Sequence, residues 1–397
     1  MRSFWEMWES LRTIGGEPDG GTPRLAFSEA DIRGRRYVLQ CMEEAGLAAF
    51  IDGIGNVVGR RGSAPYVLAG SHTDTVPRGG DYDGIVGALA AIHLANTWPD
   101  HGRHGLIAVD WSSEESSRFG ISTVGSRGAL GELPFGAFDT HDAKGISLRE
   151  AASHAFGYPD TAIWQMPVDE IAASIELHIE QGRELFDAGF PIGIVSGIAA
   201  PQRWTVTLSG KPDHTGSAAM SNRQDALCGA AELVLQVEAT SRRLENVGLR
   251  TTVSRLVTHP GVSNIVPHHV ELLIDVRVQS EKLCTGYERE LDSQILRLSS
   301  ERRLNGTRSI ISKENPSELS KDLIESIRQA IVENNLPYKT MTSWPSHDSL
   351  VLSRHLPAGM IFVRNVSGVS HSPHEFCTRD DVNLGLAVFE TTLRQFH

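Results

Sequence analysis

The chain has 397 residues, 40% of them hydrophobic and 22% charged, which is typical of a globular enzyme with two or three domains. Its 49 acidic residues outnumber 37 Lys and Arg, and a net charge of −12 argues against nucleic acid or a membrane surface as a partner. The four scattered cysteines, the lack of a membrane-length apolar run and an N-terminus unlike a signal peptide predict a cytoplasmic protein with free, buried thiols.

The first half of the chain alternates short apolar runs with helical patterns, which favours an α/β domain. Strands are predicted at Tyr66–Gly70, Leu106–Trp111 and Ser174–Ile179, with a helix over Gly84–Asn96. Ligands gather at the carboxyl ends of strands in such sheets, so the residues that follow these strands are candidates for a site.

Residues 200–310 have a different pattern. Two runs alternate like half-exposed strands, Arg203–Leu208 and Val270–Val278, and an amphipathic helix is predicted over Asp225–Arg243. This pattern favours a small α+β insert with an open sheet.

The α/β pattern then returns, with a helix over Leu319–Asn334, a strand over Met360–Val363 and a last helix from near Asp380. We therefore predict one α/β domain, residues 1–199 and 311–397, interrupted by an insert at residues 200–310.

The first strand runs into a segment rich in metal-ligand residue types, with His72 and Asp74 close to the strand and Asp83 in a glycine-rich loop. Imidazole and carboxylate groups are the usual ligands of zinc, nickel, cobalt and manganese. Asp74 is placed to accept the second ring N–H of His72, which would orient a ligating imidazole. Taken alone, the motif is equally compatible with a surface histidine in a polar turn.

Two more strands end in ionisable residues. Glu114 and Glu115 follow the second strand, where one carboxylate could bind a metal and the other act as a general base, although such a pair is more often a solvated loop. In the third strand, alternation puts Glu176, His178 and Glu180 on one face, a costly arrangement that a metal cluster would stabilise.

His371 follows the strand over Met360–Val363, so four strand ends contribute candidate ligands. The combination is far more specific than any single motif, and it predicts a metal centre with the ligands His72, Asp83, Glu115, His178 and His371.

Ten motifs in order along nearly the whole chain resemble the M20-type metallo-aminohydrolases, in their amidase, hydantoinase and carbamoylase branch. They are GSHTDTV, GGDYDG, EESSRF, ELHIEQG, DHTG, NRQDA, NIVP, DVR, SHD and SHSPHE. Aminopeptidase and aminoacylase relatives usually have an acidic residue at the position of His178, so this histidine points to the carbamoylase branch.

The resemblance implies a catalytic domain of the di-metal aminopeptidase type and an inserted lid or dimerisation domain with a four-stranded sheet and two helices. It implies two divalent ions per subunit (Zn, Mn, Co or Ni), bridged by Asp83, one completed by His72 and His178 and the other by Glu115 and His371.

Further roles are also implied by the resemblance. Glu114 would be the general base, and His214 would stabilise the oxyanion, reaching across a homodimer. Asn264 and Arg277 would clamp a substrate carboxylate, and Gln181 would contact the ureido group.

The expected activity is hydrolysis of a linear amide or ureido C–N bond in a small carboxylate substrate. An N-carbamoyl-L-amino acid is favoured, which would give the amino acid, CO2 and NH3. The alternatives are allantoate, N-carbamoyl-β-alanine, an N-acyl amino acid or dipeptide, and a binding homologue without catalysis. Retention of both Glu114 and Glu115 argues against the last.

Two departures from the family pattern bear on the substrate. Trp344-Pro345-Ser346 stands where relatives often have Gly-Ala-Gly, and the segment after His214 lacks a proline that relatives carry. The metal-ligand set is unaffected, so the changes put the identity of the substrate in doubt.

Overall fold

The computed structural model describes residues 2–17, 20–99, 101–157 and 162–397. These residues form two compact units. The first contains Met1–Ser196, Glu318–Ser343 and His347–His397, and the second contains Gly197–Ser317 and Trp344–Ser346. The second unit therefore extends beyond the predicted insert at residues 200–310. It includes Trp344–Ser346, the segment that differs from the family pattern.

The main sheet has nine strands within the described residues, in the order β1-β2-β4-β3-β5-β13-β6-β11, with β12 beside β6. They are β1 (Ala48–Ile51), β2 (Val57–Arg61), β3 (Tyr66–His72), β4 (Gly105–Trp111), β5 (Ile171–Ile179), β6 (Ile192–Ile198), β11 (Ser317–Glu318), β12 (Tyr338–Ser343) and β13 (Ala358–Val363).

The four central strands, β4, β3, β5 and β13, run parallel. They are apolar and almost wholly buried because helices cover both faces of the sheet. Along β3, Val67 and Ala69 pack into one core and Leu68 into the other. The carboxyl ends meet at one edge of the sheet, with His72 beside Trp111 and Ile179 beside Val363.

The helices of the first unit are mostly amphipathic, and α3 is the exception because it is apolar on all sides and buried. They are α1 (Phe4–Arg12), α2 (Glu29–Glu44), α3 (Ile85–Ala95), α4 (Val124–Leu130), α5 (Leu148–Phe156), α6 (Glu184–Ala188), α9 (Lys321–Glu333), α10 (Asp348–Leu352) and α11 (Arg379–Arg394).

The second unit is an antiparallel sheet in the order β10-β7-β9-β8. Two helices cover one face, and alternate residues of β7 and β9 point into this core. The fold class, including the insert with four strands and two helices, is confirmed. The elements are β7 (Ala200–Ser209), α7 (Ala226–Leu244), β8 (Leu249–His259), β9 (His269–Val278), α8 (Glu281–Arg302) and β10 (Asn305–Lys313).

Residue 310, the predicted end of the insert, lies inside β10, an edge strand of the second sheet. The four cysteines are free, but Cys228 is exposed, contrary to the expectation that all are buried. None of the helices in the described residues is both long and apolar enough to cross a membrane.

Candidate metal centre

The ionisable residues predicted at the strand ends lie together at the carboxyl edge of the main sheet. His72 ends β3, His178 is the penultimate residue of β5, and Glu114 and Glu115 follow β4. Because the strands are parallel and in register, residues far apart in the chain become neighbours. His72, Asp83, Glu114 and His178 are buried.

Two groups of ligand atoms share Asp83. Oδ1 of Asp83 lies 3.2 Å from Nε2 of His178, and these two residues form a group with His72. Oδ2 of Asp83 lies 3.3 Å from Nε2 of His371, which is 3.0 Å from Oε1 of Glu115. Within each group the ligand atoms lie within 4.8 Å of one another. The structure thus brings together the five predicted ligands as two triads that share one carboxylate.

The two buried imidazoles are oriented by backbone carbonyl groups. Nδ1 of His72 lies 3.0 Å from the carbonyl oxygen of Asp74, and Nδ1 of His178 lies 2.9 Å from that of Ile179. With a proton on each Nδ1, Nε2 is the ring atom that can bind a cation. This donor set of nitrogen and carboxylate oxygen fits a divalent transition metal.

The expectation for the Asp74 side chain was wrong in one respect. The backbone carbonyl of Asp74, and not its carboxylate, accepts from His72. The carboxylate instead accepts the backbone N–H groups of Glu114, at 3.2 Å, and Glu115, at 3.1 Å. Asp74 therefore positions the turn that carries both glutamates.

A buried arginine supports this turn from behind. Arg35 in α2 pairs with Asp31 at 3.0 Å, Asp74 at 3.2 Å and Asp110 at 3.3 Å, and all four side chains are almost completely buried. Burial raises the pKa of Asp110 to about 6, although Arg35 opposes the shift. The sequence reasoning missed Arg35 because nothing in its own segment marks it as part of a site.

Glu114 lies beside the first triad, with Oε2 at 3.8 Å from Nε2 of His72. The preceding residue, Ser113, has φ +50°, a left-handed conformation that is uncommon for a residue other than glycine. Burial, reinforced by the negative charges of Glu115 and Asp348, raises the pKa of the Glu114 carboxyl well above its ordinary value. A carboxyl group with a raised pKa and no hydrogen bond from a ligand histidine suits proton transfer.

Gly84 cannot carry a side chain without displacing a ligand. Its φ is +69°, and a Cβ atom there would lie 2.4 Å from Nε2 of His72. This requirement explains the glycine that directly follows Asp83.

Glu375 and Ser370 fix the loop that carries Asp83, and neither was assigned a role from the sequence. Glu375 accepts the backbone N–H groups of Tyr82 and Asp83, each at 3.0 Å. The hydroxyl group of Ser370 lies 2.8 Å from Oδ2 of Asp83 and 2.6 Å from Oε2 of Glu375. The motif SHSPHE signalled the region, but only the structure shows that Glu375 binds this loop.

The other acidic residues of β5 have structural partners. Glu176 accepts hydrogen bonds from Ser71 at 2.7 Å and Ser349 at 2.6 Å, although one of its oxygens also lies near His178 and His347. Glu180 accepts two backbone N–H groups at the start of α6. A metal is therefore not needed to stabilise these two carboxylates, contrary to the expectation for this face of the strand.

Two of the ligand histidines, His178 and His371, hold protons in the absence of a cation. Burial lowers the pKa of His178, but Asp83 outweighs it and raises the value to about 9. Hydrogen bonds to Asp83 and Glu115 raise the pKa of His371 to about 11. A divalent cation would replace these protons.

Gln181 lies at the same centre. Its Nε2 donates to Oδ2 of Asp83 at 2.8 Å and lies 3.3 Å from Nε2 of His371. Gln181 is thus close to Oδ2 of Asp83 and Nε2 of His371, which both belong to the second triad. This side of the triad is open, since the His371 side chain is 48% exposed.

His214 and Asn264 are neighbours in the second unit, where Thr215 donates to the carbonyl oxygen of Asn264 at 3.2 Å. Nδ1 of His214 accepts the backbone N–H groups of Gly216 at 3.0 Å and Ser217 at 3.1 Å. The ring proton must then be on Nε2, which leaves His214 able to donate a hydrogen bond outward.

Arg277 lies at the other end of the same sheet. Asn264 precedes β9, whereas Arg277 is its penultimate residue, eight residues after His269. At about 3.3 Å per residue, the stretch of β9 from His269 to Arg277 spans about 26 Å, and Asn264 precedes that stretch. Within one chain they cannot bind the same carboxylate, so the predicted clamp is not assembled in the single chain.

Known proteins are similar to this chain over nearly its whole length. Residues 68–395 match the family described as Peptidase family M20/M25/M40. The chain is 35% identical to N-carbamoyl-L-amino acid amidohydrolase from Geobacillus stearothermophilus, with 99% of this chain and 97% of that protein covered. It is also 35% identical to ureidoglycolate hydrolase from Arabidopsis thaliana, with 97% and 84% covered. Among solved structures, an amidase of the hydantoinase/carbamoylase family from Burkholderia multivorans has a TM-score of 0.88 at 28% identity, with 99% and 97% of the chains covered.

Proposed function

The chain belongs to Peptidase family M20/M25/M40 and is a hydrolase of non-peptide C–N bonds, and we propose from this that its substrate is an N-carbamoyl-L-amino acid. The observation that carries the proposal is the pair of triads sharing Asp83, with Glu114 beside them. The relative from Geobacillus stearothermophilus supports the choice of substrate. Ureidoglycolate, allantoate, N-carbamoyl-β-alanine and N-acyl amino acids are the alternatives.

We propose that two divalent ions are held by the two triads, where they would lower the pKa of a water molecule and polarise the scissile carbonyl group. Glu114 takes a proton from the attacking water and returns it to the leaving nitrogen. Gln181 orients the ureido group through its side-chain amide. Asp74 and Arg35 keep Glu114 and Glu115 in place through the backbone.

The roles of His214, Asn264 and Arg277 rest on the family resemblance. Nε2–H of His214 donates to the oxyanion, and the two backbone hydrogen bonds to Nδ1, which imply a proton on Nε2, support this role. Arg277 binds the substrate carboxylate. Since Asn264 lies at the other end of β9, we propose that His214 and Asn264 act on the site of a second copy in a homodimer.

The test is a substrate panel with purified protein, first freed of metal with a chelator and then loaded with Zn, Mn, Co or Ni. We expect no turnover without metal, and release of ammonia and amino acid from N-carbamoyl-L-amino acids after loading. The panel includes the four alternative substrates.

The outcomes of this test distinguish the proposed metal mechanism from the proposed substrate. Full activity in the metal-free protein would overturn the metal mechanism. Faster turnover of ureidoglycolate or allantoate would keep the mechanism and replace the substrate.

A further inference from the structure

Two arginines lie directly opposite each other on the second sheet. Arg250 near the start of β8 pairs with Arg277 near the end of β9, so both side chains point to the same face of the sheet. Residues of β9 on the opposite face, such as Val276 and Val278, are buried against the helices. Like charges directly opposite in a sheet repel each other, so negative charge close to this pair is stabilising.

Each guanidinium group is anchored through its Nε atom by one carboxylate. Nε of Arg277 donates to Asp275 at 2.9 Å, and Nε of Arg250 lies 3.3 Å from Glu245. Arg203 shares Asp275, at 3.9 Å. These three guanidinium groups and two carboxylates carry one net positive charge, and the contacts of Arg277 with Asp275 and of Arg250 with Glu245 are made at Nε and not at the outer N–H groups.

Trp344 holds the second arginine in place. The guanidinium carbon of Arg250 lies 4.0 Å from the centre of the Trp344 ring, which is a close cation–π contact. Trp344 belongs to the second unit although it is far along the sequence from Gly197–Ser317, which forms most of that unit. The segment that departs from the family pattern thus contacts the neighbour of Arg277.

We propose that Arg250 is a second carboxylate-binding residue beside Arg277, that Trp344 positions it, and that the pair selects a substrate with one carboxylate group. The inference rests on the proposed role of Arg277. Two guanidinium forks can donate to both oxygens of one carboxylate, and the single excess charge matches a monoanion.

The experiment compares KM for an N-carbamoyl-L-amino acid with KM for its carboxamide in metal-loaded enzyme. Arg250→Ala should raise KM for the acid about 10- to 100-fold, as expected for the loss of one charge-assisted fork. KM for the amide and kcat for both should change little. Arg255→Ala is the matched control, because Arg255 lies on the same strand, is about half exposed and pairs with Glu271.

Trp344 acts through Arg250, so its variants need a readout that separates positioning from folding. Trp344→Gly should raise KM for the acid without lowering kcat, and Trp344→Phe should restore most of the affinity because it keeps an aromatic face. Calorimetric binding of the acid to metal-loaded Glu114→Gln protein, with and without Arg250→Ala, measures the same effect without turnover.

Failure of this inference is distinguishable from failure of the proposed function. If Arg277→Ala weakens the acid selectively and Arg250→Ala does not, the second carboxylate site is overturned. If Arg277→Ala also affects acid and amide equally, the proposed clamp fails with it. A preference for N-carbamoyl-aspartate over N-carbamoyl-leucine would overturn the selection of a monoanion. Should Arg250→Ala misfold, Arg250→Lys, with a weaker but selective defect expected for the acid, decides the matter.

Discussion

Asp83 gives one carboxylate oxygen to each triad, and the adjacent residues Glu114 and Glu115 have different neighbours. Glu115 contacts His371 within a triad, whereas Glu114 lies next to His72 and belongs to neither triad. This difference allows the two carboxylates to be tested against each other.

Glu114→Gln should lose turnover by about two to four orders of magnitude, the scale of general acid–base catalysis, while both metal ions and most of the substrate affinity remain. Glu115→Gln should lose metal at the second triad. Metal content by atomic emission and kcat by ammonia release check both variants. A Glu114→Gln protein without metal would require the two roles to be exchanged.

Gly84→Ala should lower metal affinity about 10- to 100-fold, the range for residues that orient ligands, because the new Cβ displaces the His72 ring. The control is Gly131→Ala, since Gly131 also has a positive φ, +71°, but has open space around its Cβ position. Both variants should lose stability from backbone strain. Equal metal affinities in titrations of the two proteins would contradict the explanation.

The metal-ligand candidates could be predicted from the sequence because each lies near the end of an apolar strand, after such a strand or in a glycine-rich loop. Arg35 and Glu375 could not, because they act through contacts with residues far along the chain. The partner of His72 was predicted with the right residue and the wrong atom, since a pattern of residue types does not separate a carboxylate from a carbonyl group.

At the scale of elements, α2 is tied to the main sheet through Arg35, which joins Asp31 of the helix to Asp110 of β4. Arg35→Met should lower the free energy of unfolding by about 3–5 kcal/mol at pH 8, because it leaves buried carboxylates unpaired. The folded-state pKa of Asp110 is about 6 and would rise further without Arg35.

A carboxyl group whose pKa is raised on folding destabilises the fold once it is ionised, so the defect of Arg35→Met should shrink as the pH falls toward 5. Urea unfolding at pH 5 and pH 8 measures this. Arg24→Met is the control, because Arg24 is equally buried but donates to backbone carbonyl groups. A defect of Arg35→Met that does not depend on pH would exclude the unpaired carboxylates as its cause.

The four parallel strands at the centre of the main sheet were predicted because buried parallel strands are short apolar runs. In the second unit, β7 and β9 alternate and were also predicted. The edge strands β8 and β10 were not, because a run of consecutive exposed residues interrupts the burial alternation in each of them.

At the scale of the whole molecule, the proposed roles of His214 and Asn264 raise the question whether one chain is sufficient for catalysis. Mixed dimers of His214→Ala and Glu114→Gln subunits would hold one intact site if His214 acts on the partner's site. Random reassembly should then recover about a quarter of wild-type activity, since half the dimers are mixed and each has one working site.

The measurement is ammonia release after co-refolding the two variants, with each variant refolded alone as the control. Activity no higher than that of the parents would assign His214 to its own subunit's site or exclude it from catalysis. Whether His214 acts within its own subunit or on a second copy could not be derived from patterns within one sequence.

The length of β9 has a consequence for how the enzyme responds to its own concentration. Eight residues of β9, from His269 to Val276, lie between Asn264 and Arg277, so the proposed carboxylate site, which uses both, would draw on two chains. Specific activity would then fall on dilution below the dissociation constant of the pair, and substrate or product bound at the shared site would oppose the loss. The amount of protein in the cell, and not only an effector, would set the fraction of chains able to work.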